Sequence, residues 1–309
     1  MEFHHVPVLY KEVIDGLKIK EDGTYLDGTV GGGNHSLGIL EHLKTGRLIC
    51  LDQDTNALEA SRDKLKGFSN VSFYHLNYKD FTRALEEEGV QGLDGILLDL
   101  GVSSHQFDQK DRGFSYRFNA ALDMRMDQSK SFSAKDIVNT YSLEDLNRIF
   151  QDYGEERWSK RIAEFIVEAR KKAPIGTTFD LVEIIKAAIP KEVRRKGGHP
   201  AKRIFQALRI EVNDELNVLK DTLYQMIQSL NPGGRLVVIS FHSLEDRIVK
   251  EIFKYAFLDC ICPPQQPVCT CDKRREIKII TRKPITASPE ELEVNPRSSS
   301  AKCRIAEKL

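Results

Sequence analysis

The stretch Leu26-Asp27-Gly28-Thr29-Val30-Gly31-Gly32-Gly33-Asn34-His35-Ser36, followed by Arg47-Leu48-Ile49-Cys50-Leu51-Asp52, constrains this chain more than any other. A short apolar strand enters a glycine loop, a helix follows, and a second apolar strand ends on an acid. That is how a doubly wound α/β sheet begins a nucleoside site. Consecutive glycines let the backbone turn sharply and approach a ligand without a Cβ in the way. Asn34 continues the loop and tolerates left-handed geometry. Asp52, at its strand's carboxyl end, is placed to accept hydrogen bonds from both hydroxyls of a ribose. The plainer reading is a tight turn and a helix-capping acid; the two together at this spacing favour the nucleoside.

The rest of the chain extends this beginning. Thr24 to Asp27 and Leu48 to Asp52 read as strands with a helix, Leu37 to Leu43, between them. Ala57 to Leu65 is a helix, Val71 to Leu76 a strand, Tyr78 to Glu88 a helix, and Leu93 to Leu100 an apolar strand of the kind buried on both faces. The alternation then stops. The sequence is polar and loop-like to Ser133, and helical over Leu143 to Tyr153, Glu155 to Lys172 and Leu181 to Ile189. It resumes with one long helix, Ala207 to Leu230, then the Pro232-Gly233-Gly234 turn, a strand from Arg235 to Ser240, a helix from Leu244 to Phe257 and a late strand from Glu276 to Thr281. The expected organisation is an α/β domain formed by 1-104 plus 204-309, interrupted by an inserted, mainly helical domain, 105-203, that would recognise substrate. A hydrophobic fraction of 40% over 309 residues is enough for such a core.

Lys plus Arg and Asp plus Glu balance at 46 each, so global charge announces no partner. Its distribution is more useful. Lys191, Arg194, Arg195, Lys196, Lys202, Arg203 and Arg209 face the single acid Glu192 around Gly197-Gly198-His199-Pro200, a candidate phosphate-binding surface rather than only a solvated helix face. Phe114, Tyr116 and Phe118, interleaved with Arg112 and Arg117, suit stacking on an extruded base, or an ordinary half-buried segment. The tail after Lys273 is also basic, but acids are interspersed. With no long apolar run and no hydrophobic signal core at the amino terminus, the expectation is a cytoplasmic protein without a membrane partner.

The kind of nucleoside follows from what the glycine loop lacks. A dinucleotide site wants Gly-x-Gly-x-x-Gly with a helix aimed at a pyrophosphate. Here the third spacing is missing and nothing demands a phosphate. S-adenosylmethionine carries a ribose and an amino-acid group but no phosphate, and fits a backbone-lined loop with a downstream acid. The turn Asn231-Pro232-Gly233-Gly234-Arg235 into a late strand resembles the Pro-Gly-Gly turn of class I methyltransferases, so the expected fold is a class I, Rossmann-like methyltransferase sheet.

Longer motifs sharpen this. Asp99-Leu100-Gly101-Val102-Ser103-Ser104-His105-Gln106, Arg112-Gly113-Phe114-Ser115, Leu122-Asp123-Met124-Arg125-Met126-Asp127, Tyr153-Gly154-Glu155-Glu156, Arg194 to Arg203, Ser240-Phe241-His242-Ser243-Leu244-Glu245-Asp246-Arg247 and the opening His4-His5-Val6-Pro7-Val8-Leu9 together resemble the bacterial MraW/RsmH family. The resemblance spans nearly the whole chain. It implies methylation of the exocyclic N4 of a cytidine in the decoding region of 16S rRNA, with the small ribosomal subunit as partner, and it leaves open whether the chain acts alone or as a homodimer. It also implies that S-adenosylmethionine is held by Gly33, Asn34, His35, Asp52, Tyr78, Asp99 and Gln106. Two positions depart from the family pattern: Asn34 stands where glycine is common, and His105-Gln106-Phe107 replaces the more usual Pro-Gln-Leu.

A cytosine amine is a poor nucleophile because its lone pair is delocalised into the ring, so transfer needs acceptors that localise it and an in-line methyl. Asp99, helped by the Leu100 carbonyl or by Ser103, is the candidate acceptor; serving the methionine amino group is its alternative role. His242, just after a strand, is a candidate for taking the released proton, or a hydrogen-bonded turn histidine. Cys260-Ile261-Cys262 and Cys269-Thr270-Cys271 are candidate ligands of a structural zinc, although each pair is spaced more tightly than usual. Cys50 and Cys303 read as packing or isolated thiols. An NAD-dependent oxidoreductase and a non-enzymatic assembly factor retaining a nucleoside pocket are the competing readings.

Overall fold

The computed structural model describes residues 7–309 apart from 104, 105, 108, 197 and 267, and without the side chain of Lys196. The opening His4-His5-Val6, the Ser104-His105 pair and Gly197 therefore lie outside the described residues. In chain order the elements are α1 (Tyr10–Leu17), β1 (Thr24–Asp27), α2 (Asn34–His42), β2 (Arg47–Asp52), α3 (Thr55–Leu65), β3 (Val71–His75), α4 (Phe81–Glu87) and β4 (Leu93–Asp99). There follow α5 (Ala134–Thr140), α6 (Leu143–Asp152), α7 (Ser159–Arg170), α8 (Thr178–Ala188), α9 (Lys191–Lys196), α10 (Lys202–Asn213), α11 (Glu215–Gln228), β5 (Leu230–Ser240), α12 (Ser243–Phe257), β6 (Ile277–Ile279), α13 (Pro289–Val294) and β7 (Lys302–Lys308).

The strands form one sheet in the order β3-β2-β1-β4-β5-β7-β6. β1 to β5 are parallel, and β7 runs antiparallel between β5 and β6. Strand order reverses between β1 and β4, and in open α/β sheets ligands bind outside the carboxyl ends of the strands at such a switch point. One side of the sheet buries Leu26, Ile49, Ile96, Leu98, Leu236 and Val238 against Phe81, Leu223 and Phe253. The other buries Leu48, Cys50, Leu97, Val237 and Ile239 against Val13, Ile39 and Leu58. Both faces being covered explains the near-continuous apolar reading of β2 and β4. No described helix is long and apolar enough to cross a membrane.

The chain divides into two compact units, 1–101 with 216–309, and 102–215. The second unit has its own core, including Met124, Ile137, Ile149, Phe150, Ile162, Leu181, Ile185, Ile204 and Leu208. Its polar entry segment is held rather than loose: Asn213 accepts from Met126 N at 2.8 Å and donates to Met124 O at 2.8 Å.

Three expectations change. The single helix over Ala207 to Leu230 is two, because Asp214 takes a left-handed φ of 53° and ends α10, with Arg209 and Glu215 paired across the break at 2.8 Å. Leu219 and Leu223 of α11 pack in the first unit whereas α10 packs in the second, so the division falls at 101/102 and 215/216 rather than at 104/105 and 203/204. The basic tail contains β7, unforeseen because its charges are neutralised in place: Arg304 Nε lies 2.6 Å from Asp246 and Glu307 accepts from Arg235 at 2.9 Å.

Candidate functional site

The sheet's switch point brings the first unit's predicted residues to one edge. Gly28 N donates to Leu97 O at 3.0 Å and Val30 N to Leu51 O at 2.9 Å, so the glycine loop is stitched to β4 and β2. A Cβ on Gly28 would lie 2.6 Å from Leu98 Cδ2 and 3.2 Å from Tyr78 Cβ, which leaves no room for any side chain. Gly33 precedes α2 at φ 75°, and no side chain caps that helix. The first amide groups of α2 are therefore donors without an intrahelical partner, in the field of a helix amino terminus, suited to a carboxylate. Asn34 is already the first helical residue, so the left-handed positions of the loop are Gly31 and Gly33 instead. The reason is local: glycine takes the cap, and Asn34 Oδ1 turns outward to accept from Lys64.

Two acids shape this loop. Asp27 is buried and accepts from Thr29 N at 3.1 Å and from Ser36 Oγ at 2.6 Å. Asp52 accepts from Gly31 N and from Asp54 N, both at 2.9 Å, one on each oxygen. A carboxylate has about four acceptor positions, so both oxygens retain capacity for ribose hydroxyls. Burial is the main cause that pushes each of these acids up to about 6.

Asp99 closes β4 with its N–H donating to Thr29 Oγ1 at 2.7 Å. Its Oδ1 is buried without a hydrogen-bond partner, and its Oδ2 stands 3.7 Å from His35 Nδ1. Burial first, then the charges of Asp27 and Glu245, push Asp99 up to about 8. His35 is buried, its Nε2 lies 3.0 Å from Val8 O, and burial lowers it to about 4. A neutral ring that gives its Nε2 proton to a carbonyl presents a bare Nδ1 toward Asp99. The edge is thus rich in acids held against their charge, an environment that a cation relieves.

Tyr78 is buried, opens a short 3-10 turn and packs beside Gly28. His242 is the half-buried residue before α12, its side chain turned inward with Nε2 at 3.1 Å from Glu245 Oε1. Glu245 Oε2 accepts from Phe241 N at 2.8 Å, which fixes the end of β5. Thr29, Phe241 and Glu245 stand in the quoted motifs but are given no role by the sequence; the interval from His242 to Glu245, three residues across a helix start, carries the signal of a capping box. Gly101, at φ 91°, brings its backbone toward Phe241, whose Cδ2 would lie 3.6 Å from an added Cβ.

In the second unit Ser103 and Gln106 bind one another: Ser103 N donates to Gln106 Oε1 at 3.0 Å and Gln106 N to Ser103 Oγ at 3.2 Å. Arg112 is not a surface cation. It is buried and donates to the carbonyls of Arg125 at 2.8 Å and Met126 at 3.1 Å, so it folds the entry segment instead of meeting RNA. Phe114 is likewise buried in the core, and Tyr116 stacks on His199 at 4.2 Å with an edge to Phe205. Arg117, Arg195, Lys202 and Arg203 are exposed, and Arg194 is partly exposed with its Nε on Ile189 O. The charges of Lys186 and Arg117, after burial, hold His199 below its usual value, which places all three in one basic neighbourhood.

Cys260, Cys262, Cys269 and Cys271 converge in the loop between α12 and β6, every Sγ within 4.8 Å of the others. All four are free thiols, as are the buried Cys50 and Cys303.

The model of the MraW methylase family matches residues 2–309. Among curated proteins, the ribosomal RNA small subunit methyltransferase H of Heliobacterium mobile is 56% identical, and that of Clostridioides difficile 55%, each covering all of both chains. Among solved structures, an rRNA methylase from Streptococcus thermophilus aligns over 97% of this chain and 93% of its own with a TM-score of 0.44 and 9% identity.

Proposed function

Because the chain belongs to the MraW methylase family, we propose that it transfers a methyl group from S-adenosylmethionine to the N4 amine of a cytidine in the decoding region of 16S rRNA. The observation that carries the reading is the edge of the sheet. There a glycine loop, an uncapped helix start, Asp52 and an aromatic wall at Tyr78 stand around acids raised by burial, which match the carboxylate, ribose, adenine and positive charge of that cofactor. Gly33, Asn34 and His35 would offer backbone amides, Asp52 the ribose contact, and Tyr78 a flat apolar surface. When bound, S-adenosylmethionine supplies an electrophilic methyl.

This chain's residues do the remaining work. Asp99 Oδ1, buried without a hydrogen-bond partner, accepts an N–H of the target amine and so localises its lone pair. The Leu100 carbonyl, next in sequence, completes the acceptor set. His242 stands second as the proton's destination. Arg117, Arg194, Arg195, Lys196, Lys202 and Arg203 hold the phosphates of the rRNA, and the inserted unit is the substrate-recognition domain. The pyrophosphate of NAD has no matching loop here. Titration calorimetry with S-adenosylmethionine, S-adenosylhomocysteine and NAD tests the cofactor reading: binding of the first two alone is expected, and binding of NAD in their place would reject it.

A further inference from the structure

We infer that Cys260, Cys262, Cys269 and Cys271 hold one zinc ion as a tetrathiolate that folds the loop between α12 and β6, independently of the methyl-transfer reading. The geometry is specific. Zinc–sulfur bonds of about 2.3 Å at tetrahedral angles set neighbouring sulfurs about 3.8 Å apart. The Sγ atoms of Cys260 and Cys269 are 3.6 Å apart, Cys269 and Cys271 3.6 Å, Cys260 and Cys271 3.8 Å, and Cys262 and Cys269 3.9 Å. Near-equal separations are what one central ion imposes. Disulfides would give two pairs at about 2.05 Å and longer distances elsewhere.

The backbone is arranged for charged sulfur. Cys262 N donates to Cys260 Sγ, Ile261 N to Cys271 Sγ and Thr270 N to Cys262 Sγ, each at 3.4 Å. Amide donors around the ligands are the usual outer support of a thiolate site. Among the described residues, 259–275 contain no helix, no strand and no buried apolar residue, so apolar burial offers little to offset the entropy of ordering them. The base of the loop is pinned by Arg275, whose Nη2 lies 2.7 Å from Asp259 and whose Nε donates to Phe257 O at 3.0 Å. At its tip a Gln266–Thr270 side-chain hydrogen bond of 2.8 Å accompanies the four converging cysteines, and a bound ion is the staple small folded segments use in place of a core.

Topology says what the ion does. α12 leaves the cofactor edge after β5 and runs back to the opposite edge, where the loop and the start of β6 lie. The metal is therefore structural. Protein purified without chelator, then dialysed into metal-free buffer, should carry roughly one zinc per chain by elemental analysis, with cobalt substitution giving the visible bands of a tetrahedral thiolate site. Cys262→Ser and Cys269→Ser should each lower zinc affinity by at least about tenfold and make the bonds after Lys273 and Arg274 susceptible to trypsin. S-adenosylmethionine affinity should stay within about twofold, because the ligands stand at the other edge. Iron in place of zinc, four freely titrating thiols with no metal, or undiminished zinc in both variants would overturn the assignment. So would loss of cofactor binding on metal removal from protein that circular dichroism shows still folded.

Discussion

Asp99 is the residue on which the proposed chemistry turns, because burial pushes it up to about 8 and so keeps it neutral at physiological pH until a cation arrives. In an unfolded chain the same carboxyl titrates near about 3.9. Between these values the folded, ligand-free protein binds more protons than the unfolded chain, so this group makes stability fall as pH rises through that window. A sulfonium seated at the edge favours the carboxylate and so removes that trend. Affinity for S-adenosylmethionine should therefore rise between about pH 6 and about pH 8.5, by up to about tenfold per unit, and affinity for uncharged-sulfur S-adenosylhomocysteine should rise less; calorimetry at several pH values reads the difference. Asp99→Asn should slow single-turnover methyl transfer by about a hundredfold or more at saturating cofactor, and normal chemistry there would remove Asp99 from the reaction. Gly33→Ala forces a Cβ into a left-handed cap and toward Ser61 at 3.2 Å, costing about 1–2 kcal/mol and weakening cofactor binding. Asn34→Gly should leave affinity unchanged in the same titration, since Asn34 adds only backbone there.

Elements were legible where burial alone dictated sequence. β2 and β4 read directly because both faces of the sheet are covered, and the glycine loop read because Gly28 and Gly33 are required by contact and by φ. β7 did not, since Arg304 and Glu307 interrupt its apolar pattern and are satisfied by Asp246 and Arg235, far away in sequence. The break at Asp214 was hidden because leucines continue at helical spacing beyond it, while the reason for the break is a backbone angle. Arg112 misled for a related reason: an arginine beside aromatics suggests a surface, and only the fold reveals the carbonyls it serves. These buried contacts carry a prediction. Asn213→Ala removes hydrogen bonds to Met126 N and Met124 O inside a core, which should destabilise the second unit by about 1–3 kcal/mol, measured by denaturant unfolding.

At the scale of the molecule, the chain places an insertion at residues 102–215, three residues beyond Asp99, so the segment that follows β4 also begins the second unit. Apart from Gln106, the residues proposed for the cofactor and the exposed cations proposed for RNA are thereby encoded in different units. Replacing Arg195 and Lys202 with Glu should weaken rRNA binding and lower the salt slope by roughly one per cation, leaving S-adenosylmethionine affinity untouched. The central claim is tested most directly by incubating purified protein and tritiated S-adenosylmethionine with 30S particles that lack the modification, then digesting the rRNA to nucleosides. The label should co-elute with N4-methylcytidine from a single site, and fall away with Asp99→Asn. Label on a carbon of cytosine, on another base, or on no RNA would contradict the account.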